Sequence, residues 1–411
     1  MTSKNYTLRL NSEYAGIFGS YWIFYSIISS FCSAYLLDIG YSNSEIGIIL
    51  AVASVVSVFM QPMLANISDR SKKLDAIGVA GISTAIMLIL EVGMLIINKK
   101  TLALWVIYVL VMAWELALQP LFNSLARRLS ETGWNINFGI CRSGGSLAYA
   151  IFTAIFGSFV ERYGTGILPG TGVAFLALLL GILLLTERTF KRAMKEKKTA
   201  SSTETEEAVK TVKNEIDLKT FIKRNKLFLV LNLFIMILFF QNTITNNFMF
   251  QVVDGVGGTS EDMGRIFGVM AFVEIPGLFF FDRIHRRFSC STLLKFASVN
   301  FTLKLLTMYL ANSVFMIYAA HFFHIFAFSI FLAGIVQFIN EIMEREEAVR
   351  GQAVYTTAIT IGGVFANIIG GILLDISGPK LMLLISVILA AVGTFGVFLL
   401  TNKIAKKPAN P

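Results

Sequence analysis

Long apolar segments alternate with short polar ones along almost the whole chain. A helix needs about 20 apolar residues to cross the hydrocarbon core of a bilayer. Only helices and closed barrels satisfy every backbone amide there, and segments of this length favour helices. The pattern therefore predicts an all-α membrane protein with twelve transmembrane helices, at residues 14–37, 45–66, 76–97, 101–124, 138–160, 167–186, 227–252, 262–281, 290–311, 314–338, 352–374 and 380–402.

One polar stretch is much longer than the others. Residues 187–226 are rich in Lys, Glu, Thr and Ser, and they separate the first six apolar segments from the last six. The sequence therefore predicts two six-helix bundles, at residues 1–186 and 227–411, joined by a basic linker.

The two halves share a short charged motif. An Asp-Arg pair followed by further basic residues occurs once in each half, at Asp69-Arg70 and at Asp282-Arg283, with an offset of 213 residues. The excess of Lys and Arg on one side of a membrane accounts for the basic residues. It does not account for the two Asp residues, so the pattern indicates a duplicated unit in which these loops have a role.

Composition and charge agree with a membrane protein. The chain is 55% hydrophobic and 15% charged, which is too apolar for a soluble protein of 411 residues. Lys and Arg fall mostly in loops on one side, and this asymmetry predicts that both termini lie in the cytoplasm. The net charge of +9 thus reflects topology, and we expect no nucleic-acid partner.

Chemical motifs of other protein classes are missing from the sequence. The three Cys residues show no CxxC spacing, so we expect neither a disulfide framework nor a metal site. HExxH, GxSxG and P-loop patterns are also absent, so we expect no enzyme and no cofactor.

Ionisable residues inside the apolar segments indicate where function lies. They include Glu115, Arg142, Glu274, Lys304 and His324. A charged side chain near mid-bilayer costs roughly 2.5 to 3.5 kcal/mol on insertion scales, so such residues usually face the bundle interior. We expect them to line a polar path.

The arrangement of six plus six segments, with a basic central loop and the Asp-Arg motif after segments two and eight, resembles the major facilitator superfamily. The resemblance covers essentially the whole chain, although Ala65 stands where the usual motif has Gly. It implies the major facilitator fold and transport by alternating access. It also implies that Asp69, Arg70, Asp282 and Arg283 form a conformational latch.

The fifth segment adds a finer resemblance. Phe138-Gly139 followed by Arg142, and by Tyr149 seven residues later, is similar to the same segment of the lactose permease group of oligosaccharide/proton symporters. The resemblance implies that Arg142 hydrogen-bonds sugar hydroxyls and that Tyr149 stacks on a sugar ring. A guanidinium offers a planar fork of donors, which suits the first role.

The C-terminal half carries a related match. Lys304 and His324 lie twenty residues apart, as a basic residue and a His do in that group, and Glu274 occupies the position of its sugar-binding acid. We expect Lys304 to pair with Glu274, and His324 to bridge the carboxylate and the substrate. Amides of the seventh segment, among them Asn242, replace an acid of that group and could bind a polyhydroxylated ligand.

Other positions depart from the group. Its proton-carrying acid, one turn after the His, is replaced by Ala327. The remaining candidates for proton coupling are Glu115, Glu274 and His324.

These observations predict a secondary active transporter, working as a monomer, in a bacterial plasma membrane. Its partners would be the bilayer, H⁺ and a small polar solute, and the resemblance implies that this solute is a sugar or oligosaccharide. The alternatives are a facilitator-type porter for drug efflux or for organic-acid or nucleoside uptake, and a sugar uniporter without proton coupling. The fifth segment lacks the Gly-Pro pair of many antiporters, which disfavours export.

Overall fold

The computed structural model describes residues 3–70, 76–200 and 217–405. Every regular element in this part of the chain is helical, and all twelve predicted segments fall on helices. The central part of the predicted linker, residues 201–216, lies outside the described residues. The predicted domain boundaries and the cytoplasmic position of both termini stay predictions.

The described residues divide into two compact units. The first comprises the described residues up to Tyr41 and those from Val52 to Ala200, and the second comprises Ser42–Ala51 and those from Asp217 onward. The helices up to residue 200 are α1 Ser3–Tyr25, α2 Cys32–Asp38, α3 Asn43–Arg70, α4 Ala76–Ile97, α5 Leu102–Glu131, α6 Phe138–Tyr163 and α7 Ile167–Ala200.

The second unit holds the remaining helices. They are α8 Leu218–Arg224, α9 Lys226–Asn247, α10 Met249–Asp254, α11 Ser260–Phe279, α12 Phe281–His285, α13 Cys290–Leu310, α14 Val314–Ala320, α15 Phe322–His324, α16 Ile330–Ile342 and α17 Arg345–Ala405. Gly378 interrupts α17 with a φ of 69°, a left-handed conformation that a residue with a side chain rarely adopts. The eleventh and twelfth predicted segments lie on either side of it.

Eight of the described helices are long and apolar enough to cross a membrane, or nine when α1 and α2 count as one bent span. The predicted count of twelve spans goes beyond this finding and stays a prediction. Large apolar side chains such as Phe59, Ile96 and Phe279 are more than 70% exposed on the helix surfaces. Lipid tails would cover such side chains, which fits a multi-pass membrane protein.

Within the first unit, tyrosine hydroxyl groups join α1 and α5. Tyr14 donates to the backbone oxygen of Phe122 at 2.9 Å, and Tyr21 donates to that of Glu115 at 3.0 Å. Both rings are almost completely buried. Interhelical hydrogen bonds in membranes are worth only about 0.6 kcal/mol each on average, so these two bonds make a modest contribution beside the packing of the buried rings.

Two short stretches depart from the α-helical hydrogen-bond pattern. Ser26–Ser30, between α1 and α2, and Ile325–Ser329, between α15 and α16, are π-helical turns. The chain also bends by 46° between the segments 5–30 and 32–38. Such turns are frequent at functional sites, and both stand next to residues that the sequence analysis selected.

Candidate functional site

Glu274, His324 and Lys304 form a hydrogen-bonded triad in the second unit. Nε2 of His324 lies 2.9 Å from Oε1 of Glu274, and Nδ1 of the same ring lies 3.2 Å from Nζ of Lys304. His324 and Lys304 are fully buried, whereas the side chain of Glu274 is 26% exposed. The carboxylate of Glu274 is therefore the group of this triad that a ligand can reach.

The directions of these hydrogen bonds follow from the chemistry of the groups. A charged Lys side chain can only donate, so Nζ of Lys304 donates to Nδ1 of His324. The neutral ring then carries its proton on Nε2 and donates it to the carboxylate of Glu274. With the carboxylate of Glu274 ionised, one positive and one negative charge are linked through a neutral imidazole, and the three residues together have no net charge. The expected pairing of Lys304 and Glu274 accordingly runs through His324.

Close packing of α11 against the π-helical turn Ile325–Ser329 positions this triad. A Cβ atom on Gly277 would lie 2.5 Å from Cβ of Ser329, so only glycine fits without a shift. The hydroxyl of Ser329 donates to the backbone oxygen of Glu274 at 3.0 Å. His324 is the last residue before the turn, so the turn and α11 together set the distance between His324 and Glu274.

The amide residues of α9 keep unused hydrogen-bonding capacity. In the described part of the chain, Oδ1 of Asn242, Oδ1 of Asn246 and both side-chain amide atoms of Gln241 are buried without a hydrogen-bond partner. An unsatisfied buried polar atom costs about 1–3 kcal/mol. A polar ligand or water that reached these atoms would relieve that cost, which fits the predicted role of Asn242.

Arg142 stacks on an aromatic residue of α1 in the first unit. Its guanidinium carbon lies 4.3 Å from the centre of the Trp22 ring, and its Nη1 donates to the hydroxyl of Ser146 at 2.8 Å. A Cβ atom on Gly145 would lie 2.7 Å from Cδ1 of Trp22, so this glycine permits the close approach of α1 and α6. The stacking fixes the plane of the guanidinium.

Tyr149 belongs to the same aromatic cluster. Its hydroxyl lies 2.8 Å from Oγ of Ser30, in the first π-helical turn, and its ring centre lies 6.3 Å from that of Trp22 and 6.2 Å from that of Tyr25. Tyr149 is only 8% exposed, so Trp22, which is less buried, is the more accessible ring.

Trp22 and Tyr25 were not among the residues predicted from the sequence. Their spacing of three residues, which puts them on one helix face, was the available signal. The Nε1 atom of Trp22 is buried and has no hydrogen-bond partner within the described residues, so it is a donor that a ligand could use.

Glu115 is sealed inside the first unit. It is fully buried on α5, and its Oε2 accepts a hydrogen bond from Oγ of Ser29 at 3.1 Å. Its Oε1 has no hydrogen-bond partner in the described part of the chain. Glu115 is thus separate from the Arg142 cluster in its contacts, and it stays a candidate for proton coupling only.

The two Asp-Arg motifs differ in their surroundings. Asp69 accepts a hydrogen bond from the guanidinium of Arg128 on α5, within the first unit. Arg70 is exposed and ends α3, and Asp282 and Arg283 are exposed on the short helix α12. The proposed role of all four residues as a latch stays a prediction.

The fold, with its long apolar helices and buried polar clusters, defines a class, the multi-pass helical membrane proteins. A family model described as the "MFS_1 like family" matches residues 14–385, and the chain therefore belongs to this family of the major facilitator superfamily. The predicted superfamily and its fold are thus confirmed, and the protein is a membrane transporter and not an enzyme.

A protein of similar sequence is also described as a transporter. The chain is 22% identical to "Uncharacterized transporter YwbF" of Bacillus subtilis (strain 168). The match extends over 408 residues, which are 98% of this chain and 96% of the relative. A bacterial relative of this kind supports a location in the plasma membrane.

Solved transporters share the fold at low sequence identity. The nucleoside transporter NupG has a TM-score of 0.77 at 14% identity, over 97% of this chain and 99% of that chain. An auto-inhibited POT family peptide transporter has a TM-score of 0.70 at 9% identity, over 98% and 99%. At such identities the likeness shows the fold alone.

Proposed function

We propose that this transporter moves a small polar solute rich in hydroxyl groups, a sugar or oligosaccharide, by alternating access and in symport with protons. The proposal rests on the hydrogen-bonded triad of Glu274, His324 and Lys304. It combines one accessible carboxylate, which accepts hydrogen bonds from hydroxyl groups, with two buried partners that hold its position. A neutral polyol needs such directional acceptors more than it needs net charge.

Arg142 and Trp22 support the same substrate class in the first unit. The stacked guanidinium supplies donors in a fixed plane, and the indole offers a flat apolar surface. These are the two features that a sugar, with its ring of hydroxyls and its C–H face, would use.

A nucleoside is the second candidate. It carries a ribose with free hydroxyls and a flat base, and the first unit clusters the rings of Trp22, Tyr25 and Tyr149. The structural likeness to the nucleoside transporter NupG is consistent with this candidate, although it extends to the fold only.

Proton coupling would act through Glu274 and His324. Protonation of the carboxylate would remove the negative charge that compensates Lys304, so substrate binding and proton binding would be linked at one site. The competing outcome is uniport, because the triad is already neutral without an added proton. The exposed pair Asp282 and Arg283, together with Asp69 and Arg70, would act as the latch.

A two-stage experiment tests the proposal. Purified protein is first screened by thermal shift with monosaccharides, disaccharides, trisaccharides and nucleosides, and each ligand that stabilises the protein is then tested for uptake into proteoliposomes. We expect a sugar to be taken up, with alkalinisation of a weakly buffered external medium. Uptake of nucleosides alone would favour the second candidate, uptake without alkalinisation would favour uniport, and no uptake above empty liposomes for any of these solutes would contradict the proposed substrate class.

A further inference from the structure

A cluster of metal-ligating side chains lies in the second unit, apart from the triad. It comprises His285 at the end of α12, Cys290 at the start of α13 and Glu341 near the end of α16. Each residue offers one ligand atom, and these atoms lie within 4.8 Å of one another. No metal site was expected from the sequence, because its three Cys residues show no CxxC spacing.

We propose that His285, Cys290 and Glu341 bind a divalent transition-metal ion of the Zn²⁺ type. Imidazole nitrogen, thiolate sulfur and carboxylate oxygen are the three ligand types that Zn²⁺ takes in proteins. The proposal concerns ion binding and does not depend on the identity of the transported solute.

Two of the distances between the ligand atoms, both from the sulfur of Cys290, match those around a tetrahedral ion. With metal–sulfur bonds of about 2.3 Å and metal–nitrogen or metal–oxygen bonds of about 2.0 Å, the edges of the tetrahedron are about 3.3 to 3.6 Å. In the structure, Sγ of Cys290 lies 3.5 Å from Nδ1 of His285 and 3.4 Å from Oε1 of Glu341. Nε2 of His285 lies 3.2 Å from the same Oε1. Because the two contacts of His285 use different ring nitrogens and an ion binds only one of them, the ring or the carboxylate must shift when the ion binds.

Local packing already orients two of the ligands. The ring of His285 stacks on that of Phe281, one turn earlier on α12, with an interplanar angle of 8°. Cys290 is 1% exposed and is held at the first position of α13, which Ser289 caps by accepting from the backbone nitrogen of Thr292. The stacking and the helix cap therefore restrict the side chains of His285 and Cys290 before the ion binds.

The solvent exposure and the charges of these side chains are compatible with a bound ion. The side chains of His285 and Glu341 are 26% and 40% exposed, so an ion has a path to the site and water can take the fourth position. The thiolate and the carboxylate together balance the charge of a divalent ion. Since the Arg residues of the same loop, Arg283, Arg286 and Arg287, are exposed to solvent, their repulsion of a cation is screened.

Binding would join three elements that are separate in the sequence. The short helix α12, which contains Asp282 and Arg283, would be tied to the ends of α13 and α16. We therefore expect the ion to slow hydrogen exchange of the backbone amides of residues 281–290.

The test uses the full chain in detergent, without a polyhistidine tag and after treatment with EDTA. Co²⁺ is titrated as the probe, because a thiolate bound to Co²⁺ gives a charge-transfer band that Zn²⁺ removes on displacing it. We expect one Co²⁺ per chain, loss of the charge-transfer band in Cys290→Ser, and at least tenfold weaker binding in Glu341→Gln and His285→Gln.

Cys141→Ser is the matched control, because Cys141 is a buried thiol of the first unit. It should keep the wild-type titration and the slowed exchange of residues 281–290. Glu341→Gln changes a partly exposed side chain and is expected to fold, so it tests the proposal even where Cys290→Ser is unstable. No charge-transfer band in the wild type, or wild-type affinity in Glu341→Gln, would overturn the proposal.

Discussion

Removal of the negative charge of Glu274 should destabilise the protein through the buried ammonium of Lys304. Glu274→Gln keeps an oxygen that can accept the hydrogen bond from His324, but it leaves the fully buried Lys304 without its counter-charge. Breaking a buried ion pair by removing one partner costs about 3–5 kcal/mol. Because the carboxylate of Glu274 is 26% exposed, we expect the lower part of this range.

A second substitution should restore part of the loss. In the double variant Glu274→Gln/Lys304→Met, both charges are gone and an apolar chain of similar length fills the space of Lys304. The remaining cost is the unpaired Nδ1 atom of His324, about 1–3 kcal/mol. With Lys304→Met alone as the fourth corner of the cycle, the coupling energy between the two positions should be about 2–3 kcal/mol.

Equilibrium unfolding in mixed micelles, followed by circular dichroism, measures all four proteins. The exposed pair Arg127 and Glu131 on α5, with side chains 81% and 60% exposed, is the matched control. Its cycle, Glu131→Gln with Arg127→Met, should give a coupling energy of only about 0.3–0.5 kcal/mol. If the Glu274–Lys304 coupling is no larger than this control, the reasoning about a charge pair linked through His324 is wrong.

Three further predictions concern other parts of the structure. Gly396→Ala would place a Cβ atom 2.0 Å from Cγ of Phe234 and should lower the unfolding temperature by several degrees, whereas Gly81→Ala, with open space around the Cβ position, should leave it unchanged. Glu91→Met should stabilise the protein by about 1–3 kcal/mol in the same unfolding assay, because both buried carboxyl oxygens lack partners among the described residues. Arg142→Lys keeps the charge but loses the planar stack, so uptake into proteoliposomes should fall at least tenfold, and unchanged uptake would contradict a role of Arg142 in substrate binding.

The hydrophobic pattern was sufficient to predict helices, and together with the repeated Asp-Arg motif it indicated the superfamily. Each predicted segment falls on a helix, because a long apolar run in lipid leaves the backbone few other choices. The number of membrane crossings was harder to establish, since α11 and α13 carry charged residues and α17 runs through Gly378.

The candidate site could be predicted only in part. Glu274, Lys304 and His324 were selected because ionisable residues in lipid are costly and therefore uncommon. That His324 lies between the other two depends on the π-helical turn after it, and apolar periodicity does not encode such a turn. In the proposed metal site, Glu341 contacts two residues that lie more than fifty positions earlier in the sequence. Only the tertiary structure defines this contact.

Entrance counterflow tests the central claim most directly, because it needs substrate binding and alternating access but no ion gradient. Proteoliposomes loaded with an unlabelled solute that stabilises the protein are diluted into a trace of the labelled solute. The wild type and the control Glu131→Gln should accumulate label transiently, and Glu274→Gln should do so at least tenfold more slowly. Counterflow at the wild-type rate in Glu274→Gln would contradict the claim that this triad binds the substrate.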